Sequence, residues 1–168
     1  MYGTTLVGCC GDHVKLCEIL LESQVIAALQ SEDKESVLRE LVLHLCQNTR
    51  KLQPSPDQIL HALLKRERLG STGVGSGLAI PHARIPGLKQ LVIGFGRATA
   101  GVPFDSIDQQ PATLIFVVLM PENSSGTHLK VLARISRLLK DEGFRRRLLA
   151  LPTKEAIYQA FLEEDAKY

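Results

Sequence analysis

The stretch Leu114–Lys140, LIFVVLMPENSSGTHLKVLARISRLLK, decides the fold class. It opens on the unbroken apolar run Leu114–Met120. That run is far shorter than the ~20 apolar residues a membrane helix requires. It also lacks the polar alternation of a strand wetted on one side, so it reads as a central strand covered on both faces. The polar segment Glu122–Thr127 follows, and from His128 to Lys140 the apolar positions recur at helical spacing. A buried strand running through a polar loop into an amphipathic helix is a unit of an α/β domain.

The same alternation continues in both directions. Upstream, Gln24–Leu29 reads as a short strand. Ser31 is the expected N-cap of a helix, with Glu32 and Asp33 in the first turn where the helix dipole favours acids. Val37, Leu38, Leu41, Val42 and Leu45 form its apolar stripe. A second helix starts at Ser55, with Pro56 in the first helical position and Gln58 completing a capping box. Ile59, Leu60, Leu63 and Leu64 are its buried face, and Gly70 is placed to end it. Leu78–Ile80 and Leu91–Arg97 read as further strands. Downstream, a helix covers Phe144–Leu151 and Thr153 caps a last one through Leu162. The expected architecture is α/β, a single domain in which helices sandwich a mixed β-sheet.

The chain has 168 residues, 45% hydrophobic and 23% charged. A chain of that size buries about 70% of its unfolded surface, enough for a core without covalent staples. With no tryptophan and 5% aromatics, that core must be mainly aliphatic. Residues 1–15 lack periodicity and are expected to be a loosely ordered segment before a domain spanning 16–168. They carry no basic n-region of a signal peptide, so a cytoplasmic location is expected. A net charge of +2 argues against a nucleic-acid or membrane partner, and Arg145–Arg147 reads as a solvated helix face. Cys9, Cys10, Cys17 and Cys46 form no C-x-x-C pair and have no histidine at zinc spacing, so reduced structural thiols are expected and no metal.

Chemistry is expected beside Gly70–Ile85, GSTGVGSGLAIPHARI. The lysine and hydroxyl of a P-loop are absent, and Gly73, Gly75 and Gly77 are spaced G-x-G-x-G ahead of a strand, not as a dinucleotide fingerprint opening a helix. His82 follows Pro81 at a strand end, where α/β sheets commonly place their chemistry. Local features leave two readings open there, a functional imidazole or a histidine that merely ends a strand. His44 and His61 read as partly exposed helix residues, and His13 carries no signal. His128 shares a helix stripe with Leu132, Ile135 and Leu139 and can deliver an imidazole to a cleft. Arg66, within the run Lys65–Arg68, is either a functional cation or part of a solvated helix end.

These residues also carry a resemblance. The segment Leu69–His82, LGSTGVGSGLAIPH, resembles the active-site signature of the fructose/mannitol-type enzyme IIA domains of the bacterial phosphotransferase system. The similarity continues from Val102 to Leu162, covers most of the chain from about Ser31, and is greatest to the nitrogen-regulatory branch. It implies that His82 is the phosphorylated histidine, His128 a second active-site histidine that orients or stabilises the phosphoryl group, and Arg66 the active-site arginine. Gly73, Gly75 and Gly77 then form a loop whose N–H groups face phosphoryl oxygens. One departure is Ala83, where the family often has glycine.

The resemblance further implies a phosphocarrier without cofactor or metal. Its donor is the histidine-containing phosphocarrier protein, and its regulatory targets include potassium-transport or sensor-kinase proteins. Two alternatives remain: a sugar-specific enzyme IIA passing phosphate to a permease, and a binding module that is never phosphorylated. The absence of a fused permease segment favours the regulatory role.

Overall fold

A computed structural model describes residues 14–50, 52–124 and 126–168. Two 3-10 turns, Leu16–Glu18 and Glu22–Gln24, lead into β1 (Val25–Ile26). Then follow α1 (Lys34–Asn48), α2 (Pro56–Arg68), β2 (Gly73–Gly75), β3 (Leu78–Ala79), β4 (His82–Ile85) and β5 (Val92–Val102). The chain closes with β6 (Ala112–Pro121), α3 (Thr127–Leu138), α4 (Glu142–Ala150) and α5 (Lys154–Asp165). Of the expected loose segment 1–15, residues 1–13 lie outside the described residues, as do Cys9, Cys10 and His13. Val14 packs against the core.

The run that decided the fold class is the axis of the sheet. β6 pairs antiparallel with β5 on one side; on its other side β3 and then β4 pair with it in parallel, one after the other along its length. β1 extends the sheet parallel to β5, and β2 pairs antiparallel with β3. Because side chains alternate across a strand, β6 feeds two cores. Leu114, Phe116, Val118 and Met120 pack with α3, α4 and α5, whereas Ile115, Val117 and Leu119 pack with α1 and α2. The expected sandwich is therefore present, and both faces of the central strand are dry.

The few aromatics concentrate on one side. Phe95, Phe116 and Phe161 pack with ring centroids 4.8, 5.0 and 5.5 Å apart. Each fully buried ring contributes about 1.5–3 kcal/mol of burial, and Phe144 packs edge-on against Phe161 beside them, in a core otherwise mainly aliphatic. On the same side, Arg134 and Asp165 form a buried ion pair that ties α3 to α5.

Several boundaries differ from the sequence reading. Asp33, not Ser31, caps α1, its carboxylate accepting from Ser36 N. Ser31 is instead held by Glu40, which accepts from its N–H at 3.0 Å and its hydroxyl at 2.7 Å. The first strand shrinks to Val25–Ile26: Gln24 belongs to a 3-10 turn, and residues 27–29 lie beyond the two residues that pair with β5. The β5 strand runs on to Val102, and α5 to Asp165. The α2 start is as expected: Ser55 caps, Pro56 opens the helix and Gln58 completes the box.

Candidate functional site

His82 is the first residue of β4 rather than the end of the preceding strand. β3 stops at Ala79, Ile80 and Pro81 bridge the gap, and β4 resumes the sheet with His82 opposite Val118 of β6. Pairing with the buried central strand fixes this backbone, and the imidazole stands at the edge beside it. Its Nδ1 lies 2.8 Å from the carbonyl oxygen of Ile80. A carbonyl only accepts, so this contact places the ring proton on Nδ1 and leaves Nε2 with its lone pair.

A cleft of about 670 Å³ opens beside this imidazole, between α2 on one wall and the start of α3 on the other. From α2 come His61, Lys65, Arg66 and Leu69; from α3 come His128, Leu129 and Leu132. Three of the sequence-derived candidates, Arg66, His82 and His128, therefore line one cavity. They come from different elements, and only the packing of α2 and α3 around β4 brings them together.

Each has its own support. Arg66 occupies the last turn of α2 and donates through Nη1 to the Gly70 carbonyl at 2.9 Å, which leaves most of its guanidinium donors for a ligand. His128 lies in the first turn of α3, with Ser124 Oγ 3.2 Å from its Nδ1. A serine hydroxyl donating there leaves Nε2–H as the donor. Among the described residues the cleft lining contains Lys65, Arg66 and Arg84 but no carboxylate, and its remaining surface is mainly small or apolar. This combination suits an anion on a surface that another protein can approach.

The three glycines behave otherwise than the resemblance implied. None of Gly73, Gly75 and Gly77 lines the cleft. β2 and β3 form a hairpin whose two-residue turn, Ser76–Gly77, has φ values of +55° and +76°, as a type I′ turn requires. A Cβ at Gly73 would lie 2.3 Å from Ser106 Oγ, so this glycine admits the 103–110 loop. Asp108 clasps the same hairpin, accepting from Ser76 N at 2.8 Å. That backbone N–H, together with the one from Gln110, holds the Asp108 carboxyl below the ordinary carboxylate range. The glycine run builds the hairpin beside the site.

Two residues escaped the sequence reading. His61 looked like an ordinary exposed helix residue, and it is exposed, but it faces the cleft. Glu67 looked like part of a solvated charge run, yet it is buried, accepting from Lys34 Nζ at 3.2 Å and from both the amide and hydroxyl of Thr72. Burial works against the charge on Lys34, but bonds to Asp105 and Glu67 outweigh it and hold its pKa above the ordinary lysine value. Among the described residues, no three His, Cys, Asp or Glu side chains are grouped to hold a metal ion. None of the helices described is long and apolar enough to cross a membrane.

The family profile for "Phosphoenolpyruvate-dependent sugar phosphotransferase system, EIIA 2" matches residues 18–164. The chain belongs to this EIIA family. It is accordingly a phosphoryl-transfer component of phosphotransferase type. A nitrogen regulatory protein of Bradyrhizobium diazoefficiens is 36% identical over 143 residues, covering 85% of this chain and 92% of that protein. The fructose-specific EIIABC component of Bacillus subtilis is also 36% identical, over 90% of this chain but only 24% of that larger protein. Among solved structures, the nitrogen regulatory protein IIA-Ntr of Neisseria meningitidis superposes with a TM-score of 0.80 at 34% identity, covering 87% of this chain and 98% of that one. Fold and regulatory-type EIIA membership thus agree with the sequence resemblance.

Proposed function

We propose that this EIIA protein is a cytoplasmic histidine phosphocarrier of the regulatory type, accepting a phosphoryl group on Nε2 of His82. The observation that carries the proposal is the Nδ1 contact to the Ile80 carbonyl, which leaves the nucleophilic lone pair on the other nitrogen. The donor is the histidine-containing phosphocarrier protein. As the Nε2–P bond forms, the P–N bond to the donor's imidazole breaks, and that ring, protonated on its other nitrogen, leaves as neutral imidazole. His82 keeps its Nδ1 proton throughout, so the step needs no general base. The work left for the protein is positioning and charge stabilisation. Arg66 offers a planar, permanent cation to the equatorial oxygens, and His128 Nε2–H a further donor.

Output follows from charge. A phosphoryl group brings dianionic oxygens into a cleft whose lining carries Lys65, Arg66 and Arg84, so its arrival resets the electrostatics of the surface a partner reads. Regulatory targets such as potassium-transport or sensor-kinase proteins then distinguish the two states. Similarity across nearly the whole length of the B. diazoefficiens regulatory protein supports this reading. The equal identity to the fructose-specific component supports a second one, in which the phosphoryl group passes on to a sugar permease.

The test is incubation with phosphoenolpyruvate and the two general phosphotransfer proteins, followed by intact mass. We expect wild type to gain one acid-labile phosphoryl group and His82→Ala none. An unlabelled wild type sinks the phosphocarrier reading and leaves a binding module. Transfer onward to a purified fructose permease IIB domain would favour the sugar-transport role.

A further inference from the structure

Glu67 occupies an unfavourable place for a carboxylate. It lies in the last turn of α2, where the helix dipole disfavours negative charge, and its side chain is only 5% exposed. The bonds it accepts account for its presence there. Thr72 gives it both an amide hydrogen, at 3.2 Å, and its hydroxyl, and Lys34 an ammonium. Thr72 is itself buried, and its carbonyl accepts from Ile80 N at 3.0 Å. The Ile80 carbonyl in turn accepts from His82 Nδ1 at 2.8 Å. A chain of hydrogen bonds joined through the backbones of Thr72 and Ile80 thus runs from a buried carboxylate to the imidazole in the cleft.

We propose that Glu67 is a positioning residue for His82, holding Thr72 and through it the Ile80 carbonyl that selects the Nδ1–H tautomer. Its consequence for transfer rests on the phosphocarrier reading above; its consequence for the imidazole does not. Glu67 touches neither the phosphoryl group nor the ring. It fixes where the last backbone acceptor points, and so which nitrogen is free. Arg66, its neighbour on the same helical turn, faces the cleft, so one turn of α2 supplies a cation on one side and the anchor of the imidazole on the other.

The experiment reads the tautomer directly, by ¹⁵N–¹H correlation of the His82 ring in unphosphorylated protein. In wild type, Nδ1 should be protonated and Nε2 bare. Glu67→Ala should mix the two tautomers and lower the maximal transfer rate about tenfold, with the half-saturating donor concentration unchanged. Glu67→Gln keeps an acceptor for the Thr72 amide and should restore most of the tautomer preference. Lys34→Met removes the ion pair but not the Thr72 bonds and should leave the ring as in wild type. Should Glu67→Ala not fold, Thr72→Val, which keeps the amide and loses the hydroxyl, should show a partial loss of the preference.

A folded Glu67→Ala protein with wild-type ring resonances and transfer rate would overturn the proposal and leave Glu67 a helix anchor. So would a Lys34→Met protein as disturbed as Glu67→Ala, because the ion pair rather than the Thr72 bonds would then matter. If the tautomer follows Glu67 but no protein takes up phosphoryl, the positioning stands and the phosphocarrier reading fails.

Discussion

Replacing Asp165 with alanine tests how the helical layer that carries His128 is held. Asp165 is wholly buried, with Oδ1 accepting from Arg134 Nε of α3 at 2.7 Å and Oδ2 accepting from Cys17 N at 3.0 Å. The substitution removes one member of a buried pair and strips a backbone amide of its acceptor. Arg134 would keep only the main-chain carbonyl of residue 165, at 2.7 Å, and the Tyr168 ring, 5.6 Å away. Stranding a buried charge in this way costs about 3–5 kcal/mol. In a domain of this length each kcal/mol lowers Tm by about 2–4 °C, so a drop of roughly 6–20 °C is expected.

The measurement is urea unfolding at fixed pH with thermal melts beside it, and the m-value should stay constant. The double variant Arg134→Met with Asp165→Leu should recover most of the loss, because it removes both charges at once. Destabilisation by Asp165→Ala below about 1 kcal/mol would refute the reasoning. It would mean that water, not Asp165, compensates Arg134.

Three shorter predictions follow from the site and its surroundings. Arg66→Ala should slow phosphoryl transfer by about 10²–10³-fold while shifting stability by no more than about 0.5 kcal/mol, since among the described residues its side chain bonds only the Gly70 carbonyl; stopped-flow transfer and urea unfolding check the two halves. Gly73→Ala places a methyl 3.0 Å from Ser106 Cα and should cost about 1–3 kcal/mol, partly relieved by Ser106→Ala, as urea unfolding will report. The Asp108 carboxylate is favoured when ionised, so its hold on Ser76 should be complete above the ordinary carboxylate pKa of about 3.9. That hold is lost as pH falls through the lower folded value. The Ser76 amide shift, followed by NMR in wild type and Asp108→Asn, should show that transition only in the former.

Much of this architecture was legible because single elements carry their own signals. Leu114–Met120 could only be a central strand, and Ser55–Pro56–Gln58 starts a helix wherever it is placed. The cap of α1 was misread because Ser31 and Asp33 are equivalent as caps, and only the remote Glu40 decides between them by binding Ser31. The β4 strand was invisible for a related reason. His82–Ile85 does alternate polar and apolar residues, but four residues behind a proline are too short a run to read as a strand, and it is pairing with β6 that makes it one.

The same limit applies to the cleft. His82 was singled out from its neighbours in sequence, but His61 joins it only because α2 packs across β4. Glu67 hid inside the charged run Lys65–Arg68, although it follows Leu63 by four residues and Leu60 by seven and so continues their buried stripe. The glycines carry a packing signal that spacing alone did not reveal: Gly73 and Gly75 let the hairpin press against Ser106 and Asp108.

The position of the phosphoryl group on the His82 ring is the most direct measure of the central claim. Labelled protein, prepared with phosphoenolpyruvate and the two general phosphotransfer proteins, would be examined by ³¹P and ¹⁵N NMR of the imidazole. The Ile80 contact predicts phosphorus bonded to Nε2 with Nδ1 still protonated. Phosphorus on Nδ1, or on a histidine other than His82, would contradict the account.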